Sequence, residues 1–532
     1  MNFTTTKLNI ESTGYFSTLV KDYQHEDAFL KDFIVDFPSF EAIAKTCETR
    51  RHFPMHREVL VEALRKQYQG IECHDKVIQS INLLKQDNTF TICTAHQPSI
   101  FTGHLYFIYK IIHAIKLADE CSRQISSCHF VPVYYMGSED NDIDEIGLLH
   151  YQGKTYHWSN NETGACGRMS TESLQGILSA VLATLNRNIP AENEMMEILS
   201  SAYNGQNTLA QGTRVLVNYL FGEMGLVIID GDDPTLKKLF IPVVQKECVE
   251  QLSYDKVVTT NSKIAERYEP QASARELNLF YLRDGLRERI ERKTKNWEVI
   301  NSDIQFDVAS LQYEIEHFPE RFSPNVILRP VYQETILPNV VFIGGGGELA
   351  YWLQLKGVFD VYKTSYPIVC LRHSVLWMTP KQQATMQELG LQEADLFLPE
   401  NKIFERWFGG HQALQQLEIS LVKINEHYND LEKESATISS SLERSVKAHR
   451  AKANHIHERM KTKFVAQIKR NEEEKILKYR KLKEALFPKQ SLQERHDNFL
   501  SGFKEFHHAF IQQTYTMEGS PKAAFYIFEA ED

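Results

Sequence analysis

The run Thr89-Phe90-Thr91-Ile92-Cys93-Thr94, closed by the polar loop Ala95-His96-Gln97-Pro98-Ser99 and followed by an amphipathic stretch from about Gly103 to Asp119, decides the fold. Six β-prone residues lead into a loop, and Leu105, Ile108, Ile112, Ile115 and Leu117 then recur at helical spacing, which predicts strand, loop and helix in succession. A second apolar run, Phe130-Val131-Pro132-Val133-Tyr134-Tyr135-Met136, completes a βαβ unit, with Pro132 forfeiting one ladder donor. Three more runs repeat the scheme. Gly225-Leu226-Val227-Ile228-Ile229 ends in Asp230-Gly231-Asp232-Asp233-Pro234, Asn339-Val340-Val341-Phe342-Ile343 ends in Gly344 to Gly347, and Tyr366-Pro367-Ile368-Val369-Cys370-Leu371 ends in Arg372-His373-Ser374. Continuous apolar strands alternating with helices predict an α/β fold built on a Rossmann-like parallel sheet covered on both faces. All five runs place their most polar residues at the carboxyl end, where open parallel sheets bind ligands.

Around this core the first 85 residues read as helices. Two long insertions, about 150–220 and 235–325, read either as subdomains that embrace a substrate or as helical padding. The second is charge-rich, as in Arg283-Asp284-Gly285-Leu286-Arg287-Glu288-Arg289. From about Leu414 the pattern changes. Leu414, Leu417, Leu421, Ile424, Tyr428, Leu431, Ile438 and Leu442, with Ser435 in the skipped place, form the seam of a long α-helical coiled coil, and the stretch up to Pro488 reads as the returning arm of an antiparallel pair. The expected organisation is N-terminal helices with the first half of the core over 1–150, insertions carrying one core strand over 151–325, the second half of the core over 326–405, the coiled coil over 406–488, and a segment packing on the core over 489–532.

Composition narrows the function. A net charge of −11 opposes nucleic-acid binding, and no apolar run is long enough to span a bilayer. The N-terminus lacks the pattern of a signal peptide, and eight scattered cysteines without a Cys-x-x-Cys pair fit reduced thiols, so a cytoplasmic protein without a structural metal is expected. Between Glu443 and Glu484 fourteen Lys or Arg stand against six Asp or Glu. A solvated helix face explains this better than an RNA-binding arm, because no aromatic residues interleave the charges for base stacking.

Three polar loops carry the candidate chemistry. The loop around His96, Gln97, Thr102, Gly103 and His104 precedes a helix start and suits a phosphate or carboxylate, although a merely capped turn would look the same. It matches neither a Walker loop nor a G-x-G-x-x-G fingerprint. Glu139, Asp140, Asp142, Asp144 and Glu145 crowd five carboxylates together, which raises pKa values and suits a general base; Glu139 and Asp140 lie nearest the strand end. Gly344 to Gly347 permits close backbone approach to a ligand, while Arg329 and Arg372 offer cations to an anionic substrate.

Several strings together resemble the cysteine-adding enzymes of bacillithiol biosynthesis. These are Thr94-Ala95-His96-Gln97-Pro98 with Phe101-Thr102-Gly103, Ser138-Glu139-Asp140-Asn141-Asp142, Arg329-Pro330-Val331-Tyr332-Gln333-Glu334 through Asn339, Ile343-Gly344-Gly345 with Glu348-Leu349-Ala350-Tyr351-Trp352, and Leu492-Gln493-Glu494-Arg495. They occur in the family's order across nearly the whole chain. Ala95 and Ser99 replace the family's usual glycines, His104 its proline and Asn141 its common histidine. The resemblance implies a core related to class I aminoacyl-tRNA synthetases, two connecting insertions and a coiled coil that makes a homodimer. It also implies a ligase that joins L-cysteine to glucosaminyl malate through an amide, the last step of bacillithiol synthesis, with ATP and Mg²⁺ as the expected activating pair and no zinc. On this reading Asp140, Glu139 and His96 are catalytic; Thr94, Gln97, Tyr332, Gln333, Asn339 and Arg372 bind substrate; and Thr102, Gly103, His104, Gly344 and Gly345 bind the nucleotide. No counterpart of the synthetases' lysine loop follows Arg372, since Met460-Lys461-Thr462-Lys463 falls inside the coiled coil. The alternative is a nucleotide-binding or RNA-modifying enzyme of synthetase ancestry.

Overall fold

A computed structural model describes residues 2–294 and 296–531. The chain forms two compact bodies, one of residues 1–11, 15–377 and 491–528, the other of 12–14, 378–490 and 529–532.

At the centre of the first body lies a parallel sheet of five strands: β1 (Thr89–His96), β2 (His129–Met136), β3 (Val227–Asp230), β4 (Asn339–Gly344) and β5 (Ile368–Leu371). Their spatial order is β5-β4-β1-β2-β3, and every neighbouring pair is parallel. This is the Rossmann-type arrangement, with its reversal of strand order at β1 and β4. All five strands are the runs expected from sequence, with ends shifted by no more than two residues. Pro132 opposes Ile92 of β1, and β3 joins β2 only from Val133, so the missing N–H falls where just one neighbour is present. Helix α1 (Tyr106–Gln124) crosses over from β1 to β2, burying Ile108, Ile111, Ile112, Ile115 and Leu117. Phe90, Ile92, Val341, Ile343, Ile368 and Cys370 of the sheet belong to one apolar core cluster with Ala114, Leu117 and Cys121 of α1. At roughly 25 cal/mol per Å² of apolar surface removed from water, such burial is the main stabilising term for the sheet.

Two departures from the sequence reading concern elements. The N-terminal region opens with a strand, Phe3–Leu8, before its helices begin; its three consecutive threonines are β-branched and favour extended chain. The second insertion contains a five-stranded antiparallel sheet. Its order is Gln305–Phe306, Trp297–Val299, Leu286–Arg292, Leu279–Arg283, Phe322–Pro324. The hairpin between its third and fourth members turns at Asp284-Gly285, where Arg283 pairs with Leu286 and Gly285 has φ +71°. Asp-Gly is the preferred pair for such a two-residue turn, so the signal stood in the sequence among charges that masked the strands.

The second body is helical. Helix α2 (Gln412–Ile438) ends at Ser439, whose extended backbone (φ −165°, ψ 149°) breaks the chain before α3 (Ser440–Asn471), and α4 (Glu473–Leu486) follows. The α2 and α3 helices run antiparallel: His457 meets the Leu417 carbonyl at 2.8 Å and Arg450 donates to Asn425 at 2.9 Å. The hairpin is therefore intrachain. The expected seam stops at Ser439, with Leu414, Leu417 and Ser435 buried but Ile438 73% exposed and Leu442 already on the returning helix. Residues 378–405, expected in the core, belong to this body: Phe404 and Trp407 of the helix Glu400–Phe408 pack against Tyr479, and Lys478 and Arg480 pair with Glu388 and Glu400. Lys447, Arg450 and Lys461 are likewise paired, with Glu443, Glu432 and Glu418. Among the described residues no helix is long and apolar enough to cross a membrane.

Candidate functional site

Because the connections leaving β1 and β4 run to opposite sides, a crevice opens at their carboxyl ends. A cavity of about 740 Å³ lies there. Its floor is His96 at the end of β1 and Gln97 after it, Tyr106 and Lys110 of α1, and Gly345 to Gly347 after β4; the loop 137–145 forms one wall. The antiparallel sheet of the second insertion supplies Leu279, Phe280, Arg287 and Arg289. That insertion therefore builds the pocket and is not padding.

The acidic wall divides into two unlike carboxylates. Asp140 is 36% exposed and accepts from Gln97 Nε2 at 3.0 Å and from the Asn141 backbone at 2.8 Å, while Arg287 Nη1 stands 3.7 Å away. Glu139 points inward to a buried ion pair with Lys237, whose ammonium also donates to the Phe322 carbonyl at 2.7 Å. Burial pushes the Glu139 carboxyl up, against the pull of Lys237. Burial, and then the charges of Asp142 and Asp140, also raise Glu145. Burial, more than crowding, thus sets the two raised carboxyls; Asp140, Asp142 and Glu145 line the cavity and remain accessible, whereas Glu139 is committed to its buried ion pair.

The opposite chemistry gathers at the ends of β4 and β5. Lys110, 2% exposed, donates to the Ala95 carbonyl and pairs with Glu348 at 2.7 Å, and Glu348 accepts the Gly345 N–H at 2.9 Å. Burial lowers the Lys110 pKa and Glu348 opposes the shift. Arg372 is fixed by Glu494 at 2.7 Å and by the His373 carbonyl at 2.9 Å, with Tyr106 beneath its guanidinium. Arg329 donates to Gln333 and to the Tyr351 hydroxyl. The imidazole of His96 packs against Tyr106 and Phe107, and burial beside Lys110 holds it well below the usual range, hence neutral. Gly344 must be glycine, since a Cβ there would stand 2.8 Å from the Glu348 Cβ.

Of the residues expected at the site, Asp140, Glu139, His96, Gln97, Arg372 and Gly345 line the cavity. The others lie around it, most with their polar atoms spent on structure, although the Thr102 hydroxyl is buried without a partner and His104 is half-buried. Thr94 donates to the Ile343 carbonyl across the sheet. Tyr332 donates to the Gly231 carbonyl at 2.7 Å, and both Gln333 and Asn339 donate to Glu334. Gly344 accepts from Arg372 N within the sheet. Thr102 and Gly103 have φ of +71° and +69°, and Asn498 from the C-terminal segment holds this turn through the Phe101 and Gly103 carbonyls. His104 follows, bridged to Asn498. Sequence reasoning did not single out Lys110, Arg287, Glu348, Tyr351 or Arg495, which all line the pocket. For Lys110 there was a signal: one lysine among Ile108, Ile111 and Ile112 on an apolar helix has to find a partner.

Fold and pocket together define a Rossmann-type α/β protein with a polarised crevice, acidic on one wall and cationic on the other. The chain matches the family described as bacillithiol biosynthesis BshC, N-terminal Rossmann-like domain, over residues 2–373, and its C-terminal coiled-coil domain over residues 375–530. It belongs to the BshC family of bacillithiol biosynthesis. A protein named "Putative cysteine ligase BshC" from Flavobacterium johnsoniae is 39% identical, the match covering 94% of each chain. Proteins of the same name from Flavobacterium psychrophilum and Cytophaga hutchinsonii are 38% and 35% identical, over 92% and 93% of this chain and 93% of each of theirs.

Proposed function

We propose that this protein is a cysteine ligase that forms the amide between L-cysteine and the amino group of glucosaminyl malate, the closing step of bacillithiol synthesis. Family membership supports the reaction class, and one observation supports its placement: a single crevice presents an accessible carboxylate, Asp140, to an amine and a cluster of fixed cations to carboxylates. In this reading Asp140 takes a proton from the glucosamine ammonium, the freed amine attacks the activated cysteine carbonyl, and the C–O bond to the phosphoryl leaving group breaks as the C–N bond forms, the second nitrogen proton passing to the departing phosphate or to water. Gln97 orients Asp140 by donating to it. Arg372, held rigid by Glu494, meets a malyl carboxylate in a charge-assisted hydrogen bond. Neutral His96 offers a hydrogen bond without adding charge.

Activation of the cysteine carboxyl by ATP with Mg²⁺ is part of the proposal. Lys110 and Arg329 are chemically suited to phosphate oxygens, and Mg²⁺ would enter as the nucleotide complex. A homodimer through the helical arm completes the reading. The test mixes purified protein with L-cysteine, glucosaminyl malate and Mg-ATP and follows bacillithiol by mass spectrometry. Product with AMP is the expected outcome and marks an adenylate; product with ADP replaces the adenylate by an acyl phosphate. No product from folded protein would reject the reading as an ATP-dependent ligase.

A further inference from the structure

Arg287 reaches the pocket from the inserted sheet, in the strand Leu286–Arg292. Its side chain is 9% exposed, and the guanidinium lies over the Phe280 ring, 4.0 Å from the centroid. Nη1 donates to Asn141 Oδ1 at 3.0 Å and stands 3.7 Å from Asp140 Oδ1. The Nε is buried with no acceptor. Burial lowers the pKa of this guanidinium, opposed by Asp140 and Glu139.

A desolvated cation with an unsatisfied N–H is a costly arrangement, and an anion arriving at that N–H removes the cost. Arg372 lines the same cavity, and its Nε too is buried without an acceptor. Arg50 and Arg57 also have an unpartnered Nε. Neither lines the pocket, and both guanidiniums are committed to backbone carbonyls: Arg50 to Pro54, Glu334 and Leu337, Arg57 to Leu84 and Asp87. Arg287 is different, because its polar partners are two side chains of the acidic loop that can let go.

We infer that Arg287 is the specificity-determining residue for a second carboxylate on the amine substrate, Arg372 taking the first, and that this engagement draws Arg287 off Asp140 and frees Asp140 for the amine. The inference rests on the ligase reading above and deepens it. The site then selects an acceptor carrying a dicarboxylate group, and anion binding precedes alignment of the amine. In the free protein Arg287 occupies the carboxylate that the ammonium needs, so an acceptor lacking the second carboxylate has to displace it unaided.

The experiment uses the full-length chain, wild type, R287Q and R287K, with L-malate and L-lactate as probes that differ by one carboxylate. Binding is measured by titration calorimetry and by competition with glucosaminyl malate. Wild type is expected to bind malate about tenfold or more tightly than lactate, the scale of one charge-assisted hydrogen-bonded pair. R287Q is expected to bring malate down to the lactate level with lactate unchanged, and to raise KM for glucosaminyl malate while KM for cysteine holds. R287K keeps charge but loses the fork, so it retains part of the preference. If R287Q does not fold, R287K decides: a malate preference equal to that of wild type overturns the assignment. Equal weakening of both probes would mean a merely structural role and would also overturn it. A wild type that ligates without preferring malate defeats this inference and leaves the ligase reading standing. A malate preference that depends on Arg287, without ligation, does the reverse.

Discussion

Glu139 and Asp140 are adjacent in sequence and look alike there, but they perform different work. Removing Glu139 leaves Lys237 buried without its counter-ion, so Glu139→Ala is expected to cost roughly 3–5 kcal/mol in urea unfolding. Asp140→Ala is expected to change stability by no more than about 1 kcal/mol, because the side chain is part-exposed, while abolishing ligation. A stable Glu139→Ala or an active Asp140→Ala would reverse this division. Glu334 provides a test by pH. Burial pushes its carboxyl up to about 7, against hydrogen bonds from Gln333 and Asn339. In the unfolded chain a glutamate titrates near about 4.3. Between these values the native state holds a proton that the unfolded state lacks, so stability gained from this group grows as pH falls through 7 and levels off below the unfolded value. Wild type should therefore gain on Glu334→Gln in unfolding free energy, by up to about 1.4 kcal/mol per pH unit, as pH is lowered across that window. A pH-independent difference would refute it.

Among elements, the loop from Phe101 to Gly103 is the most constrained part near the site. Phe101 and Thr102 adopt φ of +47° and +71°, a region that side chains with a Cβ occupy only when surroundings enforce it. Asn498 is the enforcing residue: its amide donates to two buried carbonyls of the turn, while its Oδ1 accepts from Leu500 N at 3.0 Å. Asn498→Ala strands both carbonyls and is expected to destabilise the protein by roughly 2–4 kcal/mol, measured by denaturant unfolding. A change under about 0.5 kcal/mol would show that the turn holds itself. The inserted antiparallel sheet is the other element of consequence, since it brings Arg287 and Phe280 to a pocket otherwise built by the parallel core. Its strands alternate poorly: Leu286–Arg292 carries five charges in seven residues, so period-two reading misses it and only the Asp284-Gly285 turn marks it.

On the scale of the whole molecule, the helical body presents Ile419, Val422, Ile456, Met460 and Phe464 to solvent. Apolar side chains in such number on an arm call for cover. If a second copy supplies it, the wild-type chain is a dimer by light scattering, and Ile419→Glu with Val422→Glu, one helical turn apart on α2, yields a monomer whose melting transition is otherwise retained. A wild-type monomer would defeat the dimer proposal without touching the ligase reading.

The sequence by itself determined the class of fold. The five core strands, the helix joining the first two, and the helical arm follow from apolar periodicity, which is a local property readable without contacts. It also determined where to look, since polar residues at strand ends mark the crevice of a parallel sheet. Which of those residues face the crevice was decided only by tertiary structure. Thr94, Tyr332 and Asn339 turn into the core because neighbouring strands and helices present carbonyls and carboxylates to them. Lys110 and Arg287, distant in sequence, reach the pocket through packing of α1 and pairing of the inserted strands. Burial, and the partner each charge finds there, are long-range properties; they separate Glu139 from Asp140, and no pattern along the chain encodes them.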